Sequence, residues 1–292
     1  SGRSTATTRV LGRADRYPPG GRGPAGMGCQ AGRVGFVLSL VVLAPLVWAL
    51  AGTPAADSVA GWAQENAPAV ATTATVPSTA LLAAVVAGSV LGGGRARVAT
   101  THVSTVAHEL GHGVTAGLLG GELMSVHMRP DGSGVAYTRM RRNRPVAGFL
   151  VAAAGYVAPG VVAVASMQAV LAGLTGLWLA YLVTVAALAL VLTVRSWWGA
   201  LVVLGLGALG WAVLALAPPS TAPLLLAGLA GVLAGGGVVD AVGQWRMRAT
   251  DTSTDAASMA AQTRLAAGIF AGFHLLAAVG LASAAVTLPI WR

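Results

Sequence analysis

Seven stretches of this chain run long and almost without charge, at 34–52, 79–94, 146–172, 174–194, 197–217, 223–243 and 265–288. About 20 such residues in helical form cross the ~30 Å hydrocarbon layer of a bilayer. Lipid offers no partner to a bare backbone, so these segments must satisfy their own N–H and C=O groups as helices. Only 9% of the 292 residues are charged, against ~25% in ordinary soluble domains. The fold expected is an all-α polytopic membrane protein with about seven transmembrane helices. A disulfide-stapled scaffold is excluded, because Cys29 is the only cysteine.

An eighth apolar stretch, 98–119, carries His102, His108, Glu109 and His112, which makes a lipid-facing helix a poor reading. The positive-inside rule bears on how it sits. All 18 basic residues are arginine. If 98–119 enters and leaves on one side, 17 of the 18 face the cytoplasm and Arg292 alone lies outside. A full crossing would send the five arginines between 129 and 144 to the other face. The pattern therefore predicts a re-entrant or protein-buried 98–119 segment and a cytoplasmic amino terminus.

Residues 1–33, rich in Gly, Arg and Pro, read as a disordered basic tail. The run 34–52 resembles a signal-peptide core, with Ala55-Ala56 near a cleavage-like position, but it is long for one and contains Pro45 and Trp48. It is read as a retained first span. The rest, 34–292, is one membrane-embedded domain with an external loop at 53–78. Residues 120–145 contain two β-prone runs, Val126-His127-Met128 and Val135-Ala136-Tyr137, around the turn sequence Pro130-Asp131-Gly132-Ser133-Gly134. They predict a small cytoplasmic β-hairpin that caps the neighbouring segment or receives an unfolded peptide as an added strand. The arginines at 139–144 lack aromatic interleaving, so they suit topology and anionic lipid better than nucleic acid.

His108-Glu109-Leu110-Gly111-His112 is an H-E-x-x-H pattern. On a helix, residues four apart share a face, so both imidazoles can reach one metal ion. Zinc accepts such nitrogens and lowers the pKa of a bound water toward neutrality. Glu109 is placed to take that water's proton as it attacks a carbonyl and to pass it to the leaving amine. Gly111, Gly113 and Gly117 would let another helix approach closely.

A catalytic zinc usually has three protein ligands. His102 lies six residues before His108 and faces away from it, His127 sits in the basic loop, and His274 suits a hydrogen-bonded core position as well as a ligand. Asp240 and Asp255 are better candidates. Asp240 lies inside the sixth span, where a charge needs a partner: a metal, or one of Arg195, Arg246 and Arg248. Asp255 precedes the last span, where it could equally cap a helix. Burial alone favours Asp240. Tyr156 and Arg195 are possible aids to a developing oxyanion.

Taken in order, Thr105-Val106-Ala107-His108-Glu109-Leu110-Gly111-His112-Gly113, Pro130-Asp131-Gly132-Ser133-Gly134-Val135, Ala154-Gly155-Tyr156-Val157-Ala158-Pro159, Arg195 before Trp197-Trp198-Gly199, and Thr254-Asp255-Ala256 resemble the short B-type branch of the bacterial site-2-protease-like intramembrane zinc metallopeptidases. The resemblance runs from about residue 95 to 285. It implies a multi-span zinc endopeptidase of the bacterial inner membrane, with His108 and His112 as ligands, Glu109 as the catalytic carboxylate and a membrane protein or peptide as substrate. It also implies Asp255 as the third ligand, through the Ser/Thr-Asp-Ala element. Other branches carry Asp-Gly in a late span, whereas the only Asp-Gly here, Asp131-Gly132, lies in the loop. Two rivals remain at this point. One is a non-catalytic metal-binding scaffold of the same fold. The other is a transporter, disfavoured because 146–288 shows no internal repeat.

Overall fold

A computed structural model of the chain describes residues 9–10, 76–140 and 145–290. The retained span expected at 34–52, Cys29, and nearly all of the 1–33 tail and 53–78 loop lie outside the described residues. Among the described residues, eight α-helices and three strands follow one another: β1 (Arg9–Val10), α1 (Ser78–Gly93), α2 (Arg97–Leu118), β2 (Glu122–Met128), β3 (Gly134–Arg139), α3 (Pro145–Leu171), α4 (Thr175–Leu192), α5 (Trp197–Leu216), α6 (Thr221–Met247), α7 (Asp255–Thr263) and α8 (Ala267–Thr287), the last ending in a 3₁₀ turn at Leu288–Ile290.

Five of these helices are long and apolar enough to cross a membrane: α3, α4, α5, α6 and α8 with its terminal turn. Of the seven expected spans, 34–52 lies outside the described residues, and five of the other six coincide with these helices. The stretch read as 79–94 forms α1, an apolar helix of only 16 residues, about 24 Å long at 1.5 Å per residue. It ends at Gly93 because Gly94 takes an extended backbone. The remaining segments fold close to their expected bounds. Helix α6 reaches Met247, four residues past the expected end at 243, and so carries Asp240 well inside it.

Glycine sets how the core helices meet. Helix α1 lies on α6 with Gly88 and Gly92 against the backbone of Gly228 and Val232, while Gly231 and Gly235 press on the carbonyls of Val85 and Ser89. A Cβ at any of these four would overlap the facing backbone. Lipid tails are as apolar as leucine, so such close van der Waals contact is what holds helices together in a bilayer. Helix α3 packs on α2, α6 and α8. Trp178 of α4 donates its indole N–H to Ser166 Oγ of α3 at 3.0 Å, which anchors the α4–α5 hairpin to the bundle.

The hairpin predicted within 120–145 is present. Strands β2 and β3 pair antiparallel with a bulge between Leu123 and Ser125, and Arg9–Val10 lies parallel along the outer edge of β3 opposite Tyr137 and Thr138. The outer edge of β2 is closed by the α4–α5 link: Val126 N–H donates to the Thr193 carbonyl at 2.9 Å, and Arg195 N–H donates to the Val126 carbonyl at 3.0 Å. In the turn, Gly132 has φ +85°, a conformation that glycine adopts at least cost. Asp131 accepts from the Ser133 hydroxyl and N–H at 2.6 and 2.9 Å, and these bonds hold its carboxyl below the usual carboxylate range. Thr105 Oγ1 of α2 donates to the Gly132 carbonyl at 2.7 Å, so the turn is pinned one helical turn ahead of Glu109.

Candidate metal centre

Helix α2 carries the H-E-x-x-H pattern, and its 3.6-residue period brings both histidines to one face. The rings meet edge to face with centroids 4.7 Å apart, and their Nε2 atoms are separated by 3.0 Å. His112 Nδ1 lies 2.6 Å from the Val151 carbonyl of α3. A carbonyl only accepts, so Nδ1 carries the proton and Nε2 presents a lone pair. A hydrogen bond of this kind commonly orients metal-binding imidazoles.

The third group is Asp255, the first residue of α7. Thr254 caps that helix, its Oγ1 accepting from Ala257 N–H at 3.2 Å. The cap is thus supplied by the preceding residue, and the Asp255 side chain turns inward. Its Oδ2 lies 3.1 Å from His108 Nε2 and 3.3 Å from His112 Nε2. All three residues are buried. Neither Asp255 oxygen has a hydrogen-bond partner among the described residues.

The arrangement passes a fit test for a metal. The His112 Nε2 lone pair faces an Asp255 carboxylate oxygen at 3.3 Å, an opposition that a cation between them relieves. Bonds of about 2.0–2.1 Å in a tetrahedron separate ligand atoms by about 3.3–3.4 Å, close to the spacings seen. Two nitrogens and one carboxylate oxygen also form a donor set that zinc accepts. Glu109 stands beside this group, fully buried, with both carboxylate oxygens unpartnered among the described residues. Strand β3 passes over it so closely that a Cβ on Gly134 would lie 2.8 Å from Glu109 Oε1. Gly155 of α3 presses on the same group: a Cβ there would overlap His112 and come within 2.6 Å of His108 Nε2. Gly111 lets α2 and α3 approach, since a Cβ on it would lie 2.5 Å from that of Ala158.

Of the two aspartates weighed from sequence, the fold brings Asp255 to the histidines and leaves Asp240 elsewhere. Asp240 pairs with Arg97 of α2 and accepts from Ser104 Oγ at 3.0 Å. Its partner is none of the three arginines considered from sequence, so the burial argument for Asp240 as ligand is corrected by an ion pair. Arg195 bonds the carbonyls of Leu192 and Val194 at the end of α4, which removes it from the oxyanion role. His102 accepts from the Trp198 indole N–H at 3.3 Å, and His127 meets the Tyr137 ring. His274 bonds Gln244 within the core.

Sequence reasoning missed three things here: the short helix α7, the contact of Gly155 with the histidines, and the buried Gln244–His274 pair. Thr254 before Asp255-Ala256-Ala257 is a capping signal that announces the first. The other two join helices far apart in sequence. A family model described as Peptidase M50B-like matches residues 78–285. No curated protein and no solved structure matches the chain.

Proposed function

Because the chain belongs to the Peptidase M50B-like family, we propose that it is a zinc-dependent endopeptidase that cuts peptide bonds within or beside the membrane, with His108, His112 and Asp255 holding the metal and Glu109 as general base. The observation that carries this reading is the convergence of His108 Nε2, His112 Nε2 and Asp255 Oδ2 in a buried site with an unpartnered Glu109 alongside. A divalent metal held there would supply Lewis acidity, polarising a substrate carbonyl and acidifying a water.

The chain's own residues do the rest. The Val151 carbonyl holds the His112 ring in the tautomer that leaves Nε2 free. Glu109 takes a proton on one carboxylate oxygen and returns it to the leaving nitrogen. Burial by α3 and β3 limits water around that carboxylate, which strengthens each electrostatic contact. A helical substrate hides its carbonyls, so it must unwind before cleavage. Strand β3 touches Glu109 through Gly134, and its outer edge accepts a strand, as Arg9–Val10 demonstrate. An unwound substrate segment would bind along that edge by strand addition. The distribution of arginine supports a cytoplasmic amino terminus in a bacterial inner membrane.

The test is a comparison of membrane-protein fragments from cells producing wild type or Glu109→Gln. New peptide termini in or beside spans, present only with wild type, support the proposal. Identical fragment profiles from two metal-loaded, correctly inserted proteins would contradict it and favour a non-catalytic metal-binding scaffold.

A further inference from the structure

The two histidines of the candidate centre are held differently. His112 has the Val151 carbonyl at its outer nitrogen. No hydrogen bond reaches His108 Nδ1 among the described residues. The His108 ring also meets the Tyr156 ring of α3, edge to face at 84° with centroids 4.8 Å apart. Tyr156 is fixed in turn by His274 of α8, stacked on it at 4.8 Å and 15°. His274 is fixed by Gln244 of α6, whose Oε1 accepts from His274 Nδ1 at 2.7 Å.

Packing alone does not explain this row. Tyr156, on which His274 stacks, stands among Val238, Ala241, Leu275 and Ala278, so apolar rings would suit this neighbourhood. Instead the row buries His274 Nε2 and Gln244 Nε2 with no partner among the described residues, and such burial costs free energy. What the polar pair adds is direction. An apolar ring can slide or tip in its slot, whereas the hydrogen bond to Gln244 sets the plane of His274, and the stack passes that plane to Tyr156.

We propose that His274, oriented by Gln244, is a positioning residue that acts through the Tyr156 ring to hold His108 in its metal-binding orientation. This rests on the metallopeptidase reading above. The row joins α2, α3, α6 and α8, so the His108 ring is aligned by three helices other than its own.

The test uses the full chain in detergent micelles. Zinc affinity is measured by competition with a chelator, and the visible absorption band of the cobalt-loaded protein reports ligand geometry. His274→Ala, Gln244→Leu and Tyr156→Leu are each expected to weaken zinc binding about tenfold and to shift or broaden the cobalt band, the range found when groups that orient a ligand are removed. Tyr156→Phe keeps both ring contacts and is expected to stay within about twofold of wild type. If His274→Ala fails to fold, His274→Phe carries the test, because it keeps a ring on Tyr156 and loses only the bond to Gln244. Its cobalt band must then broaden. Wild-type zinc affinity and an unchanged band in the His274 and Gln244 variants would overturn the proposal, even if their metal-free melting temperature falls, since that pattern belongs to packing. A wild-type protein that binds neither metal would instead overturn the metallopeptidase reading on which this inference stands.

Discussion

Helices α5 and α6 are nearly equal in mean hydropathy, 2.2 and 2.0, yet 56% of the most apolar window of α6 is buried against 17% in α5. The difference lies in side-chain size. Helix α6 turns Ala227, Ala230, Gly231, Ala234, Gly236, Gly237 and Ala241 inward, and Gly231 and Gly235 admit α1 to backbone contact. Helix α5 exposes Trp197, Leu201, Leu204, Leu209, Trp211 and Leu216, as a helix facing lipid tails does. Hydropathy finds both spans, but only the run of small residues tells which one is the hub. The polar groups follow the same division, since Asp240 and Gln244 sit on α6.

This contrast can be broken in graded steps. The largest effect is expected next to the candidate centre, where Gly155→Ala would push a methyl group into the histidines. Bound metal should fall from about one per chain to below about 0.1, read by elemental analysis, as expected if affinity drops about 100-fold or more. A retained full complement would mean that α3 yields there. Next comes Gly231→Leu, which forces α1 away from α6. Overpacking of this kind costs about 1–3 kcal/mol or more, visible as a lower melting temperature in micelles. Arg97→Ala leaves Asp240 half-buried without its ion-pair partner, and about 1–3 kcal/mol should be lost. Metal content should nevertheless stay at the wild-type level, because Asp240 lies outside the group formed by His108, His112 and Asp255. Smallest of all, Leu209→Ala and Trp211→Ala on the outer face of α5 should change stability by less than about 0.5 kcal/mol. A large loss in either would mean that this face is covered by protein and not by lipid.

Much of this organisation can be read from the sequence, for local reasons. The H-E-x-x-H spacing places two imidazoles on one helical face wherever that helix lies. The hairpin declares itself through Pro130-Asp131-Gly132 between two β-prone runs, and the long helices end near their Gly and Pro punctuation. What escapes a local reading is pairing at a distance. Asp240 looks costly inside a span until Arg97, 143 residues away, is found beside it. Burial reasoning alone favours Asp240, whereas the fold brings Asp255 to the two histidines, as the Thr-Asp-Ala resemblance implied. Helix α7 is nine residues long, too short for an apolar period to register. Helix α1 reads as a full span because its Ala, Leu and Val raise the hydropathy of a segment only 16 residues long, while its glycines serve as a contact surface.

The central claim is that Asp255 completes a metal site with His108 and His112. Zinc per chain, measured by elemental analysis on detergent-purified wild type, Asp255→Ala and Asp240→Ala after mild reconstitution at neutral pH, tests it most directly. The account predicts about one zinc in wild type and in Asp240→Ala, and loss in Asp255→Ala, as removal of one of three protein ligands implies. A wild type that holds no zinc, or an Asp255→Ala variant that holds it as firmly as wild type, would contradict the account.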